Sequence, residues 1–415
     1  MDFAYDERTQ QLQQQLWDFM RDHVFPAEHT FEPTDPHAPF SWERPALMAE
    51  LKAEARRRGL WNLFLPHSEH GAGLTNQQYA PLAEITGWSP AIAPEALNCA
   101  APDTGNMELL ELAADAKQRQ RWLTPLLAGE LRSAFCMTEP DVASSDASNI
   151  ATRLEAQPDG TWRLRGRKWW STGVMSSDCQ LLIVMAVSDP DAPRHAQHSM
   201  VCIPRERAGV DVRRGLSVMG FYDQTHGGHG EVVFDDVVVE RTDFLGSPGE
   251  GFTLAQARLG PGRIHHCMRL IGMAERALQL MCRRASTRVA FGRPLAEHGT
   301  VMADIADARV KIDQLRLMVL RTAWLIDTVG ARGAATEISE IKIAAPTVAE
   351  WVVERAIQVH GAAGLTADFP LAALWAQTRG LRFADGPEEV HRMVLARREL
   401  KRQTATDVTG SAASS

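Results

Sequence analysis

The sequence lacks the short motifs that identify several common classes of enzyme. It contains no GxGxxG, GxxxxGK[ST], HExxH or GxSxG pattern, so motifs support neither a Rossmann dinucleotide site, a P-loop, a zinc protease nor a serine hydrolase. The six cysteines form no CxxC pair, and no uncharged apolar stretch approaches the roughly 20 residues that cross a bilayer. The polar, acidic start MDFAYDERTQ predicts no secretory signal. We therefore expect a cytoplasmic protein with no membrane partner.

An excess of positive charge is also lacking. The formal net charge is -8, from 44 Lys and Arg against 52 Asp and Glu, which argues against a nucleic-acid partner because phosphate binding depends on positive charge. Short basic clusters do occur, and we interpret them as solvated helix faces: Arg56, Arg57 and Arg58, then Arg283 and Arg284, then Arg397 and Arg398.

Residues 1–132 are predicted to form a helical domain. Apolar residues repeat at helical spacing over residues 47–53 and again at a second set, Leu109, Leu112, Ala113 and Ala116. Helix-breaking residues separate the two sets: Pro33, Pro36, Pro39, Pro66, Gly71 and Gly73.

Residues 133–245 are predicted to form a β domain. The segments TWRLRGRKWW (161–170), LLIVMAV (181–187) and EVVFDDVVVE (231–240) are alternating, continuously apolar or rich in β-branched residues, as strands are. The chain has the composition of a turn at residues 157–160. The order of the first two zones is therefore helices, then strands.

Residues 246–403 are predicted to be helical again. One apolar face steps by three or four residues through Met268, Ile271, Ala274, Leu278, Met281 and Ala285. Further helices are predicted at about 301–329 and 337–359, and long helices with short connections favour a bundle. Residues 404–415 are small and polar, and are predicted to form a flexible tail.

Two histidine pairs have the residue type of a metal site. His226 and His229 lie in a Gly-rich segment with no carboxylate at a standard ligand spacing, whereas His265 and His266 should face different sides of a helix. We interpret all four as loop or packing residues and expect no metal.

Three segments have the composition of a binding site, although each is weak evidence alone. Residues 135–149, FCMTEPDVASSDASN, place small hydroxyl and carboxylate side chains in one loop. Residues 166–173, GRKWWSTG, place aromatic rings and hydroxyls at a strand end, where they could line a flat heterocycle. HGAAG, at residues 360–364, would let a pyrophosphate approach the backbone closely.

Together with their neighbours, these segments resemble the acyl-CoA dehydrogenases. The resemblance covers about residues 45–402, and its motifs occur in the family's order. GLWNLFLPHSEHGAGL is similar to the family's N-terminal loop, and QRQRWLTPLLAGELRSAFCMTEP to the run into its flavin loop. RKWWSTG is similar to its K-x-W-I-T segment, and GPGRIHHCMRLIGMAERAL with RVAFGRPL to the first bundle helix and its Arg-x-x-Phe-Gly signature.

The resemblance implies an α+β fold with an N-terminal helical domain, a middle β-sandwich or barrel, and a C-terminal four-helix bundle. It implies FAD held at an interface in a homodimer or homotetramer, an acyl-CoA substrate, a role in fatty acid metabolism and an electron-transfer flavoprotein as partner. Residues that match the family's flavin positions are Met137, Thr138, Trp170, Thr172, Arg288, Phe291, Gln358 and Gly361. Those that match positions contacting CoA are Ser145 and Arg263.

The resemblance also implies that the catalytic base is Asp385, where many relatives carry glutamate. Asp385 lies in RFADGPEEVHR at residues 382–392, and Arg392 matches the family's following arginine. Some relatives place the base before the arginine matched by Arg263, but that position is Gly262 here. Aspartate is one methylene shorter than glutamate, so the backbone or the substrate must lie closer. Without the family context, a loop or helix-capping aspartate would be the better interpretation of Asp385.

Within the family, the sequence resembles the branch that in animals is fused to kinase-like domains. That branch implies longer, branched or 4-substituted acyl groups, including 4-phosphoacyl-CoA processing. Two other functions stay open: a nitroalkane-oxidase-like flavoenzyme, which also uses an aspartate base, and a non-catalytic nucleic-acid-binding flavoprotein. The matches at Ser145 and Arg263 count against the first, and the acidic balance counts against the second.

Overall fold

The computed structural model describes residues 4–31, 41–65 and 68–405. The predicted helix breakers Pro33, Pro36, Pro39 and Pro66 lie outside these residues, as does the predicted tail from residue 406 onward. The described chain divides into two compact units, residues 1–265 and 266–415, and the boundary falls within one long helix.

Among the residues that the structure describes, the first unit begins with eight α-helices, as predicted for an N-terminal helical domain. Side chains cap several of them: Asp6 accepts a hydrogen bond from the backbone N–H of Thr9, and Thr75 forms a capping box with Gln78. The helices are α1 (Glu7–Phe19), α2 (Phe25–Phe31), α3 (Leu47–Arg57), α4 (Asn76–Thr86), α5 (Ala93–Ala96), α6 (Asp103–Ala113), α7 (Ala116–Gln118) and α8 (Thr124–Leu127).

The apolar pattern from Leu109 to Ala116 does not form one helix. Helix α6 ends at Ala113, and Asp115 then begins α7 by accepting a hydrogen bond from the backbone N–H of Gln118. Leu112 is 65% exposed, so it is not part of the buried face. The local capping preference of Asp115 outweighs the apolar spacing, because a cap supplies backbone hydrogen bonds that the spacing does not.

Eight strands follow, and they form one hydrogen-bonded sheet in the order β6-β7-β3-β2-β4-β5-β8, with β1 parallel to β4. All three predicted strand segments overlap it, in β3, β4 and β7, and only their end residues Thr161 and Glu240 lie outside these strands. The strands are β1 (Arg132–Cys136), β2 (Arg153–Ala156), β3 (Trp162–Thr172), β4 (Cys179–Val187), β5 (His198–Pro204), β6 (Val210–Leu216), β7 (His229–Val239) and β8 (Phe244–Leu245).

The core of the sheet is closely packed and apolar. It includes Leu164, Val184, Val201, Val232 and Phe234, each at most 2% exposed. Each such side chain stabilises the fold by roughly 1.5–3 kcal/mol relative to an exposed position.

The helices of the first unit are joined to its sheet by hydrogen bonds. The side-chain amide of Gln118 donates to the carbonyl oxygens of Thr242 and Phe244. The carboxylate of Asp103 accepts from the Arg132 guanidinium and from the backbone N–H of Ser133. These bonds fix the start of β1, which leads into the first part of the candidate site.

Long helices make up the second unit, as predicted for the C-terminal domain. The face from Met268 to Ala285 is buried, which confirms the predicted apolar stripe. A short pair of strands, β9 (Val289–Ala290) and β10 (Arg293–Pro294), lies between the first two helices. The helices are α9 (Gly251–Thr287), α10 (Gly299–Gly333), α11 (Ala335–His360), α12 (Leu371–Gly380) and α13 (Glu388–Ala405).

The predicted domain boundaries at 132, 245 and 403 stay predictions. The observed elements agree with the predicted order of helices, sheet and helices. Within the described ranges, no helix is long and apolar enough to cross a membrane.

Candidate active site

The chain after β1 is held against β3 by backbone carbonyl groups. The buried ammonium group of Lys168 lies 3.0 Å from the carbonyl oxygen of Met137, and the backbone N–H of Trp169 donates to the carbonyl of Thr138 at 3.0 Å. Met137 and Thr138 are half-buried. Two residues predicted to contact flavin therefore lie beside the strand that carries Trp170 and Thr172.

A β-bulge reshapes β3 at its two tryptophans. Lys168 pairs with Val232 and Ser171 pairs with Gly230, so Trp169 and Trp170 together lie opposite the single residue Glu231. Trp170 has a φ of 53°, which is rare for a bulky residue, and its side chain is 42% exposed. The bulge thus exposes one aromatic ring at the end of the sheet.

Thr172 lies directly opposite His229 in the antiparallel pair of β3 and β7. The Thr172 Oγ1 and His229 Nδ1 atoms are 2.9 Å apart, and the ring of Trp170 lies 5.3 Å from that of His229. Met137, Thr138, Trp170 and Thr172 are therefore brought together with His229, which the sequence analysis did not assign to the site.

His226 and His229 do share a carboxylate, contrary to the prediction from spacing. Asp223 lies 2.7 Å from His226 Nδ1 and 3.4 Å from His229 Nε2. The prediction was wrong because Asp223 has a φ of 52° and Gly227 one of 75°, and these left-handed residues turn the chain back on itself. In the part of the chain that the structure describes, no three His, Cys, Asp or Glu residues are arranged to hold a metal ion.

The surroundings shift the pKa values of Asp223, His226 and His229 in different directions. Burial alone would raise the pKa of Asp223, but the neighbouring His226 and His229 lower it to about 2. Burial alone would lower the pKa of His226, but the Asp223 carboxylate raises it above its usual value. Burial lowers the pKa of His229. Near neutral pH, Asp223 is therefore an anion and His229 is uncharged.

A buried ion pair holds the loop that carries Ser145. Glu139 accepts hydrogen bonds from the ammonium group of Lys168 at 2.8 Å and from the backbone N–H groups of Ala151 and Thr152. Burial alone would raise the pKa of Glu139, but the charge of Lys168 lowers it. Ser145 itself is exposed within this loop. Arg263, the second predicted CoA contact, is half-buried in α9.

In the second unit, Asp385 lies in the turn between α12 and α13. Its φ is 56° and that of Gly386 is 105°, so two consecutive residues have left-handed backbone conformations. The Asp385 side chain is only 11% exposed, and its Oδ2 atom lies 3.5 Å from Nε2 of His266 on α9. A non-glycine residue in this conformation costs free energy and is a feature of functional turns.

The predicted opposite orientation of His265 and His266 agrees with their contacts. His266 approaches Asp385, whereas His265 packs edge-on against Tyr79 at 5.1 Å, within the first unit. His265 is therefore a packing residue as predicted, but His266 is a candidate site residue that the sequence analysis missed.

Two basic residues hold the turn that carries Asp385. Lys342 is 1% exposed, and its ammonium group donates to the carbonyl oxygens of Leu381 at 3.0 Å and Ala384 at 2.8 Å. Arg382 donates from Nε and Nη2, one edge of its guanidinium, to the two carboxylate oxygens of Glu388, and from Nη1 to Glu350 at 3.2 Å. The turn is therefore anchored immediately before Asp385.

The other predicted flavin residues of the second unit are exposed. Arg288 precedes the turn between β9 and β10, and Phe291 at that turn is 96% exposed. Gln358 is exposed near the end of α11. Gly361 ends α11 with a φ of 65°, and nothing lies within 4 Å of the place where a Cβ would be. An almost fully exposed phenylalanine is unusual and favours a binding surface.

Family profiles match along the chain. Those of the acyl-CoA dehydrogenase N-terminal, middle and C-terminal domains match residues 6–130, 134–237 and 249–400. The chain belongs to the acyl-CoA dehydrogenase family. This family consists of oxidoreductases whose members bind FAD.

Individual relatives cover nearly the whole chain. The probable acyl-CoA dehydrogenase FadE2 of Mycobacterium tuberculosis is 51% identical over 98% of this chain and 98% of its own length. Acyl-CoA dehydrogenase family member 10 of Mus musculus is 50% identical over 95% of this chain, which spans 37% of that protein. A solved structure from Mycobacterium abscessus, assigned to the acyl-CoA dehydrogenases, has a TM-score of 0.93 at 51% identity and covers 97% of this chain and 100% of its own.

Proposed function

We propose that the chain is an FAD-dependent acyl-CoA dehydrogenase that oxidises the Cα–Cβ bond of a saturated acyl-CoA to the trans-2-enoyl-CoA, with Asp385 as the base. The observation that carries the proposal is the Asp385 turn. It holds a mostly buried carboxylate in a left-handed conformation, fixed from behind by Lys342. A carboxylate in such a turn is suited to act on one defined atom of a substrate.

The residues at the end of the sheet suit a flat, polar heterocycle. The exposed ring of Trp170 offers an aromatic surface, and the nearby hydroxyl of Thr172 offers a hydrogen bond. Met137 and Thr138 lie beside them. We infer that these four residues contact the flavin ring. When bound, FAD supplies the acceptor for the hydride from the β-carbon.

Exposed groups of the second unit suit the rest of the cofactor. The free space at Gly361 would let a pyrophosphate approach the backbone, and Arg288 offers a guanidinium for phosphate. We infer that Arg288, Phe291, Gln358 and Gly361 hold the adenine and pyrophosphate part, and that Phe291 is covered in a homodimer or homotetramer. Ser145 and Arg263 are inferred to contact the CoA arm of the substrate.

The step that the protein's own side chains carry out is a proton transfer. The α-proton of a thioester is weakly acidic, so the carboxylate must be held against the α-carbon. We infer that an Asp385 oxygen takes this proton and that His266, 3.5 Å away, orients the carboxyl group. An electron-transfer flavoprotein is the inferred electron acceptor.

Anaerobic addition of saturated acyl-CoAs to the purified flavoprotein tests the proposal. Loss of the flavin absorbance near about 450 nm is the expected result, and comparing straight, branched and 4-substituted acyl chains identifies the preferred substrate. The Asp385→Asn variant with its flavin bound is the matched control and should not bleach. A fully loaded wild-type protein that no acyl-CoA reduces would overturn the proposal.

A further inference from the structure

The contacts of His229 determine which of its ring nitrogens carries the proton. Asp223 Oδ2 lies 3.4 Å from Nε2, an ion-pair distance, and the negative charge of the carboxylate favours a proton on the ring nitrogen that faces it. His229 is uncharged, and its Nδ1 therefore has a lone pair. Because Nδ1 lies 2.9 Å from Thr172 Oγ1, the Thr172 hydroxyl donates to the ring.

A hydroxyl that donates inward presents only lone pairs outward. Thr172 is then an acceptor toward any ligand on its other side, and it favours a ligand N–H over a ligand nitrogen with a lone pair. Two-electron reduction adds a proton to a ring nitrogen of flavin and so converts an acceptor into a donor. A Thr172 hydroxyl that donates to His229 is therefore a better hydrogen-bond partner for reduced flavin than for oxidised flavin.

We propose that the Asp223 carboxylate sets the direction of the Thr172 hydrogen bond through His229, and that these three residues form a positioning device that favours reduced over oxidised flavin. The inference rests on the proposed function, in which Thr172 contacts the flavin. Asp223 and His229 are positioning residues, because they act through Thr172.

The surroundings keep Asp223 charged. His226 lies 2.7 Å from its Oδ1 atom, whereas His229 lies nearest to Oδ2. Arg132 on β1 adds positive charge, and Glu95 on α5, which forms an ion pair with Arg132 at 2.7 Å, offsets part of it. Trp170 packs against the His229 ring and limits the orientations of the imidazole.

Replacement of Asp223 by asparagine is the decisive change. The asparagine amide can donate to Nε2, which would move the His229 proton to Nδ1 and turn the Thr172 hydroxyl outward as a donor. The midpoint potential of the bound flavin should then fall, with at least a tenfold loss of preference for the reduced form, about 30 mV for two electrons. Asp211→Asn, an exposed aspartate on β6, is the matched control and should leave the potential unchanged.

The sign of the change in midpoint potential distinguishes the proposed hydrogen-bond effect from a simple effect of charge. Removing a nearby negative charge would by itself stabilise the more electron-rich reduced flavin and raise the potential. A fall in Asp223→Asn that disappears in a Thr172→Val background supports the proposal. A rise, no change, or an equal fall in the Thr172→Val background overturns it.

A second measurement does not depend on the variants or on turnover. Nitrogen-15 NMR of histidine-labelled wild-type protein should show His229 protonated at Nε2, and protonation at Nδ1 would overturn the inference. The potential is measured with a chemical reductant and reference dyes. Failure of acyl-CoA to reduce the flavin would therefore count against the proposed function alone.

Discussion

The ammonium group of Lys342 lies 2.8 Å from the carbonyl oxygen of Ala384, the residue immediately before Asp385. A second hydrogen bond of this group, to Leu381, holds the turn at two points from a different helix. Burying a lysine ammonium group costs free energy, so a buried lysine bonded to this turn indicates that the position of the turn is important. The position of Asp385 thus depends on a residue 43 positions earlier in the chain.

Replacing Lys342 with methionine should release this turn. We expect a loss of about 1–3 kcal/mol in the free energy of unfolding, because two carbonyl groups lose their donor. Urea unfolding followed by circular dichroism measures this loss, and acyl-CoA-dependent bleaching should slow by more than the stability loss explains. Lys401→Met on the exposed end of α13 is the control. Unchanged bleaching in Lys342→Met would show that the anchor does not position Asp385.

Asp385→Asn should abolish proton removal while leaving FAD bound. The amide is close in size to the carboxyl group but is not a base, so exchange of the acyl-CoA α-proton with deuterated water should fall at least about a hundredfold. Mass spectrometry of the recovered acyl-CoA measures the exchange. Asp368→Asn, an exposed aspartate of the same unit, should exchange at the wild-type rate. Wild-type exchange in Asp385→Asn would exclude this residue as the base.

Arg288→Ala should lower the FAD content of the purified protein. The guanidinium is exposed beside the turn of Phe291 and is the proposed phosphate contact. The ratio of flavin absorbance to protein absorbance measures the content, and added FAD should partly restore it. Arg293→Ala removes the same charge from the same hairpin and should bind FAD normally. Equal flavin content in both variants would contradict the assignment of Arg288.

The Asp223 and His226 pair should stabilise the fold in a limited pH range. Asp223 has a pKa of about 2, below the roughly 3.9 of an unfolded chain, so its contribution is present above about pH 4 and is lost as the pH falls toward 2. His226 has a raised pKa, so its contribution is present below about pH 6.5 and is lost as the pH rises through the raised value.

Wild-type protein should therefore exceed Asp223→Asn in stability most between about pH 4 and 6.5, by on the order of 2 kcal/mol. Urea unfolding at a series of pH values measures the difference. Arg132 and Glu95, the other charged groups that face this pair, are unchanged in both proteins. A difference that does not vary with pH would mean that the pair contributes packing alone.

Glu108 should make the folded protein less stable as the pH rises, in the same direction as the His226 contribution and opposite to that of Asp223. Burial raises its pKa to about 8, and both of its carboxyl oxygens are buried without a hydrogen-bond partner among the described residues. The folded protein should therefore lose up to roughly 1.4 kcal/mol for each pH unit between about 4.5 and 8, relative to Glu108→Gln. Thermal unfolding of both proteins at pH 5 and pH 8 tests this. If the stability of both proteins changed equally with pH, the Glu108 carboxyl group would have gained a hydrogen-bond partner in solution.

Repeating patterns within short segments predicted most of the elements. The strands around residues 161–170, 181–187 and 231–240 and the helix face from Met268 to Ala285 each depend on neighbours in the same element, so their composition sufficed. The break at Asp115 was missed because the two hydrogen bonds of a capping box, between Asp115 and Gln118, outweigh an apolar pattern over a few residues.

The candidate site was less predictable, because its contacts join distant residues. Lys342 and Ala384 are far apart in the sequence, and no local pattern connects them. Asp223 is different, because its spacing of three and six residues from His226 and His229 was visible. What the sequence did not reveal was the left-handed turn that makes this spacing a contact. The assigned roles of Asp385 and the flavin residues rest on family resemblance.

The β-bulge at Trp169 and Trp170 determines which side of the sheet the later side chains of β3 face. Before it, Lys168 is buried; after it, Ser171 is buried, an odd number of residues later, so Thr172 points to the other side. In a regular strand that kept both tryptophans, Ser171 and Thr172 would exchange faces, and the threonine hydroxyl would point to the wrong side of the sheet. In this segment the number of residues is itself information, as in a reading frame: the one extra residue that the bulge absorbs sets the face that every later side chain of β3 occupies.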